Sequence, residues 1–489
     1  MSEVLFGLEM LTGGEPDFPV YRGDGSRETV KSLRQRLARK RVAVLTHPAG
    51  VDAELNGSVG HLLRWNRRLP AEQQFTLTAL LGPQHGFAGE KQDNMIESDH
   101  TVDAETAVPI FSLYGETRRI TEAMAERFDM LLFDLQDVGV RVYTFLTTLA
   151  YIIADFHAMP DKAVVVLDRP NPTGRSVEGL RLEPGEESFV GAATAPMQHG
   201  MSLGEFALWY TDHHRYGTDV SVVPMSGRHP TESRKRRSPA DGWPADRVWI
   251  PPSPNMPGLH TARAYPGTVM LEGTTLSEAR GTTRPLSMFG HPDIDWAAVY
   301  RRVETDAPET LEGYRLREVV FEPVFHKHAG MPTRGFDIVC EYPFYDPGRF
   351  SPYRFIVAVL RAVRDTHPRL KLWTDPPYEY EYERMPIDVI CGGPRVRRFV
   401  EGSGHRHSGD GVSGRVRARD DAAKSAAAAD QKEGGAAPSS WQEFSALCSR
   451  EEAQWRELTR PYYLYGGSSA AAGRGAGGRS DIETTGESV

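Results

Sequence analysis

The chain has only three cysteines, Cys340, Cys391 and Cys448, in 489 residues. They are too few and too scattered for a disulfide framework or a cysteine-ligated zinc site, and they fit a reducing compartment. No apolar run is long enough to span a bilayer, and the opening stretch Met-Ser-Glu-Val-Leu-Phe-Gly has neither a basic segment nor a sustained apolar one. A membrane partner is therefore not expected, and the expected location is cytoplasmic. Positive charge is in deficit. The 57 Lys and Arg against 66 Asp and Glu leave a net charge of −9, which gives no general attraction to phosphate backbones and speaks against nucleic acid as a partner. No G-x-G-x-x-G follows the first apolar run, where His47-Pro-Ala-Gly50 stands, and no Walker lysine pattern occurs, so no nucleotide cofactor is expected. A G-x-S-x-G elbow is also missing, which removes the best marker of a serine acyl-transfer enzyme.

What is present is enough chain for two domains, with an apolar share of 39% that suggests dilution by polar segments. Four short apolar runs in the first third each stop at polar or Gly/Pro residues: Val42 to Leu45 before Thr46-His47-Pro48, Phe75 to Leu81 before Gly82-Pro-Gln-His-Gly86, Met130 to Phe133 before Asp134-Leu-Gln-Asp137, and Ala163 to Leu167 before Asp168-Arg-Pro-Asn171. Their near-continuous Val, Leu, Ile and Phe content predicts parallel strands covered on both faces, and the spacing leaves room for crossover helices. The fold class expected is α/β with a doubly wound sheet. In such a sheet ligands bind outside the carboxyl ends of the strands, where all four polar clusters fall. Met197 to Tyr210 reads as a loop entering an amphipathic helix, with Ser202 and Glu205 forming a capping box.

Domain limits are expected at residues 1–245 for the first domain and 246–401 plus 441–465 for the second. Residues 226–247, with Arg234-Lys-Arg-Arg237, read as a solvated connection. The Gly-, Ser- and Ala-rich residues 402–440 read as a disordered insertion and residues 466–489 as a disordered tail. In the second domain, Arg317 to Phe321 and Phe336 to Cys340 look strand-like, Tyr265-Pro-Gly-Thr268 looks like a loop, and Trp441 to Tyr465 looks like a helix with an aromatic, strand-like end. The Gly/Thr-rich stretch from Glu272 to Thr283 is placed to face the first domain's edge.

Among residues that carry chemistry, carboxylates give the richest signal. Glu90, Asp134, Asp137, Asp168 and Glu205 fall in or near loops that converge on one crevice, and paired carboxylates serve glycoside hydrolysis as acid and base or nucleophile. Asp134 and Asp168 also suit helix caps and Glu205 its capping box, whereas Glu90 has no evident structural duty. The catalytic candidates are Glu90, Asp134, Asp137 and Glu205. Arg141 and Tyr143 follow closely, and an arginine beside acids either neutralises them or binds a substrate carboxylate. His326 and His328 alternate, as on one face of a strand, but no third ligand stands with them and no metal is expected. His213 and His214 read as surface residues.

Taken in order, Leu45-Thr-His-Pro-Ala-Gly-Val-Asp52, Pro83-Gln-His-Gly-Phe87, Ser112-Leu-Tyr-Gly115, Phe133-Asp-Leu-Gln-Asp-Val-Gly-Val-Arg141, Leu167-Asp-Arg-Pro-Asn-Pro172, His199-Gly-Met-Ser-Leu-Gly-Glu205, Pro252-Ser-Pro-Asn-Met-Pro257, Glu272-Gly-Thr274 and Arg280-Gly-Thr-Thr-Arg-Pro285 resemble the exo-β-N-acetylmuramidase (NamZ-like) glycoside hydrolases, formerly a domain of unknown function. The resemblance implies a Rossmann-like domain joined to a smaller α+β domain with a cleft between them. It implies release of N-acetylmuramic acid from the non-reducing end of peptidoglycan fragments, in cell-wall turnover and recycling, with a carbohydrate substrate. It further implies substrate contacts from Gln84, His85, Gln136, Arg141, Tyr143, Asp168, Arg169, Asn171, His199, Asn255, Arg280 and Thr282. Muramic acid carries a lactyl carboxylate, for which Arg141, Arg169 and Arg280 are candidate partners. One departure stands out: the family reads Pro-Glu-His-Gly where this chain has Gln84, and an amide cannot protonate a leaving group. Either Glu90 or Glu205 serves as the acid, or the chain is a catalytically altered muropeptide- or sugar-binding protein.

Overall fold

The computed structural model describes residues 4–92, 95–227, 242–402 and 438–465. The basic run Arg234 to Arg237, most of the expected insertion and the expected tail lie outside the described residues.

All four apolar runs are strands, Arg41–Thr46, Thr76–Gly82, Met130–Asp134 and Ala163–Leu167, in a nine-stranded sheet. From one edge to the other the order is Arg27–Thr29, Pro19–Arg22, Asp219–Val223, Ala163–Leu167, Met130–Asp134, Arg41–Thr46, Thr76–Gly82, Pro109–Ser112 and Thr101–Val102. The strands from Asp219–Val223 to Pro109–Ser112 all run parallel, and the outer ones are antiparallel. One apolar cluster covers one face, with Val42, Val44, Leu80, Leu132 and Val165 under the helices Val30–Leu37 and Ser58–Asn66. A larger cluster covers the other, with Leu45, Phe133 and Val166 under Thr144–His157 and Leu203–His213. Coverage on both faces is why these strands lack polar alternation. The helix Leu203–His213 has its capping box, Ser202 accepting from the Glu205 amide, but it is buried along nearly all its length rather than on one face.

The second, smaller domain carries an antiparallel sheet in the order Met288–Gly290, Thr333–Val339 and Arg315–Phe321. Its helices include Leu259–Thr268, Trp296–Asp306, Pro352–Thr366 and Pro386–Cys391. The larger apolar cluster continues without a break into this domain through Tyr265, Val269, Ile356 and Trp455. The segment Tyr265 to Thr268, expected as a loop, is instead the last turn of a helix with Pro266 inside it. Tertiary packing explains the difference, since a Cβ on Gly267 would lie 2.1 Å from the Pro352 carbonyl oxygen, so only glycine lets these helices meet. His326 and His328 are not on a strand. The strand ends at Phe321, and both histidines have left-handed backbone (φ 69° and 59°) in the turn that follows.

The helix Trp441–Thr459 ties the two domains together. At its start, Trp441 Nε1 donates to Glu309 (2.6 Å) and Phe444 stacks on Phe399. Further along, Glu452 accepts from the Gly179 amide (3.0 Å) and Trp455 Nε1 donates to the His199 carbonyl (2.9 Å). The chain then makes a 3-10 turn, Arg460–Tyr462, in place of the expected strand-like end. Tyr465 reaches back to give its hydroxyl proton to Asp168 (2.6 Å).

Candidate active site

At the carboxyl ends of the parallel strands the two domains close on a pocket. The first domain supplies Gln84 and His85, from the loop after Thr76–Gly82, and Tyr143 and Thr144, at the start of the helix Thr144–His157. That helix end turns its positive dipole toward the pocket. The loop Pro252 to Pro257 adds Ser253 and Asn255, and the second domain adds Tyr265, Glu272, Arg280, Tyr378 and Glu379. The free space is about 30 Å³, room for more than one water molecule. Through Asn255 it adjoins an open groove of about 960 Å³ bordered by Thr282, Arg284 and Arg317.

Two carboxyl groups meet here in different surroundings. Glu272 accepts from Arg280 Nη2 (2.7 Å) and from the Tyr378 hydroxyl (2.8 Å). Glu379 is 95% buried and accepts from the Tyr114 hydroxyl (2.8 Å) and from Gln84 Nε2 (3.2 Å). Burial pushes its pKa up to about 7; Tyr114 and Gln84 pull it down, and the negative charge of Glu272 pushes it up further. Gln84 is itself held by Thr144, whose hydroxyl donates to its Oε1 (2.7 Å). Arg280 is deeply buried. Burial works against its charge, yet Glu272 and Glu278 hold its pKa above the ordinary value. Lys327 secures Glu278 (2.9 Å) with His326 beside it (3.0 Å), while His328 bonds the Thr275 carbonyl (2.9 Å). Among the described residues, Arg280 Nη1 has no hydrogen-bond partner.

Several residues expected at the site have other work. Asp134 is fully buried and takes two bonds from Arg169, Nε at 2.5 Å and Nη2 at 2.9 Å, with a further short one from Ser58. Both oxygens are thus committed, and Arg169 in turn caps the Val51 carbonyl. Glu205 closes its capping box and pairs with Arg175 at 2.5 Å through each oxygen, and it also accepts from the Leu464 amide. Asp168 accepts from the Ser202 and Tyr465 hydroxyls and from the Gly204 and Arg169 backbone amides. Asn171 shapes a turn through Thr173, and Thr282 does the same through the Ala279 carbonyl. Arg141 lies buried between Gly191, Leu182 and Gly392 and does not itself line the pocket, with one bond to the Ile390 carbonyl (3.1 Å). Desolvation lowers its pKa to about 10. Glu90 does not line the pocket; 53% of its side chain is exposed, 3.8 Å from Lys91.

Asp137, Gln136 and His199 form a buried group, and the Asp137 charge acts on Tyr143 of the pocket. Asp137 accepts from the Gly139 amide (2.6 Å), His199 Nε2 lies 3.6 Å from it, and Gln136 donates to the Asp137 and Pro170 carbonyls. His47 is neutral. Burial first, then Arg169, lower its pKa to about 3, so Nε2 accepts the Gln136 amide proton (2.8 Å) and Nδ1–H faces the Pro252 carbonyl (3.3 Å). Of the expected residues the pocket therefore collects Gln84, His85, Tyr143, Asn255 and Arg280.

Sequence reasoning missed Glu379, Tyr378 and Tyr114 as site residues, and it quoted Glu272 without a role. The signal was a carboxylate set among tyrosines in Pro376-Pro-Tyr-Glu-Tyr-Glu-Tyr382, a composition too aromatic for an idle surface loop.

Comparison with known proteins adds three findings. Residues 42–260 match the family model for exo-β-N-acetylmuramidase NamZ, N-terminal, and residues 263–465 match that for its C-terminal part. A Bacillus subtilis protein named peptidoglycan β-N-acetylmuramidase NamZ is 35% identical over 377 residues, covering 75% of this chain and 81% of that protein. Two crystal structures of DUF1343 family proteins from Bacteroides fragilis share the fold, with TM-scores of 0.67 and 0.58 at 24% identity, each over 91% of this chain and 98% of theirs.

Proposed function

Because the chain belongs to the exo-β-N-acetylmuramidase NamZ family, we propose that it releases N-acetylmuramic acid from the non-reducing end of peptidoglycan fragments, at the pocket between its two domains. The observation that carries the reading is Arg280. Three cleft arginines are candidates for the lactyl carboxylate; Arg169 is committed to Asp134 and Arg141 does not line the pocket. Arg280 alone of the three lines the pocket, with Nη2 and Nε turned to Glu272 and Glu278 and Nη1 without a partner among the described residues. A buried guanidinium that lines a pocket and keeps one donor without a partner favours a carboxylate-bearing sugar over its neutral analogue.

The test compares 4-nitrophenyl glycosides of β-N-acetylmuramic acid and β-N-acetylglucosamine. Cleavage of the first and not the second is expected, and Arg280→Lys should raise KM for the first about tenfold or more, since a lysine lacks the planar fork that holds Glu272 and Glu278 from separate nitrogens and keeps a third for a ligand. Tight fragment binding without any turnover would replace this reading by that of a sugar-binding protein, which Gln84 would explain. A cytoplasmic place for the reaction is part of the proposal, supported by three buried cysteines that remain free thiols. Cell fractionation checks it.

A further inference from the structure

The segment that brings Glu379 to the pocket is a two-residue hairpin turn made from unusual residues. Tyr378 and Glu381 exchange both backbone hydrogen bonds (3.0 and 2.9 Å), and between them Glu379 and Tyr380 stand at φ 46° and 67°. Turns of this hand favour Asn-Gly, because left-handed backbone crowds a Cβ. Here the tip is held by its contacts instead. Tyr114 and Gln84 hold the Glu379 carboxyl, the Arg118 guanidinium lies 3.8 Å above the Tyr380 ring, and the Tyr380 hydroxyl donates to Glu97 (3.1 Å). A strained backbone that fixes a buried acid across a domain boundary marks a working group.

We propose that Glu379 is the proton donor to the leaving sugar, with Gln84 and Tyr114 as positioning residues. The proposal rests on the glycosidase reading above. As the bond between C1 and the glycosidic oxygen breaks, its electron pair stays on that oxygen, the Glu379 O–H bond breaks, and the proton completes the leaving hydroxyl. The water that gives its oxygen to C1 releases the proton that returns Glu379 to its acid form. Glu379 lines the pocket, which shares Asn255 with the adjoining groove from which a glycosidic oxygen is presented. Glu379 is faced by Glu272, Arg118, Tyr114, Tyr265, Tyr378 and Tyr380. Its proton is therefore kept by burial and by Glu272 near neutral pH, where a general acid must hold one.

The experiment uses the full chain and two substrates, the N-acetylmuramyl-N-acetylglucosamine disaccharide, whose leaving group needs a proton, and 2,4-dinitrophenyl β-N-acetylmuramide, whose leaving group does not. Glu379→Gln is expected to slow the first about 100-fold or more and the second less than about tenfold, and to abolish the basic limb of the pH profile. Tyr114→Phe, which removes one bond to the carboxylate, should shift that limb upward. Equal losses on both substrates, or an unchanged basic limb in both variants, overturns Glu379 as the donor while leaving the function standing. No cleavage of either substrate by the wild type overturns both.

Discussion

Replacing Asp134 by Asn tests whether a strand-end carboxylate is machinery or scaffold. The Arg169 side chain is 3% exposed and Asp134 fully buried, so the variant strands a guanidinium that still holds the Val51 carbonyl but has lost its counter-charge. Breaking a buried pair from one side costs about 3–5 kcal/mol. For a domain of this size, that is a fall of roughly 6–20 °C in melting temperature. Removing both charges, Asp134→Asn with Arg169→Gln, leaves no uncompensated ion and should cost less than the two single changes added together, with a coupling of about 2 kcal/mol. Thermal unfolding of the four proteins in the cycle gives the stabilities, and kcat of the folded fraction gives the chemistry. A variant that melts within a degree of wild type but turns over 100-fold more slowly would refute the assignment and return Asp134 to the reaction.

Glu90→Gln should leave turnover within about twofold of wild type, since an exposed group outside the pocket has no transition state to touch; a kinetic comparison on the disaccharide decides it. The proton on Glu379 also links stability to pH. Its ordinary pKa is 4.5, and in the fold it rises to about 7, so between these values the native state holds a proton that the unfolded chain has released, and stability falls as pH rises. The full difference, reached above pH 7, is roughly 3 kcal/mol, and Glu379→Gln should lack it; urea midpoints at pH 5 and pH 8 that move in parallel for the two proteins would contradict this. Gly139→Ala should cost more than about 2 kcal/mol, because Gly139 has φ 79° and a Cβ there would meet Asn171 Oδ1 at 2.2 Å. Denaturant unfolding measures it.

The parallel strands could be read because burial on both faces writes a continuous apolar run, and the cap at Ser202 could be read because its partner is three residues away. The edge hairpin Pro19–Arg22 and Arg27–Thr29 went unread, although Asp24-Gly25 marks its turn. At the site, residues on one loop were found by position, but their tasks were not. Whether Asp134 faces substrate or Arg169 depends on a contact across 35 residues, and Glu379 meets Gln84 across 295. Charge pairing at such separations leaves no periodic trace in a sequence. Gln84 was legible as a departure from the family pattern, but what it holds in place was not.

The Tyr465 hydroxyl on Asp168 sets an order on biosynthesis. Asp168 directly follows the inner strand Ala163–Leu167, and one of the donors to its carboxyl comes from a residue 297 positions later. A nascent chain that has left the ribosome only as far as the end of the first family match, residue 260, can pair every parallel strand and still lacks this donor, the Trp455 bond to His199 and the Glu452 bond to Gly179. Its native state is thus completed late, and until then the Asp168 carboxyl waits without one of its partners. Cutting the gene at the boundary between the two family models would separate the first sheet from the residues that finish it.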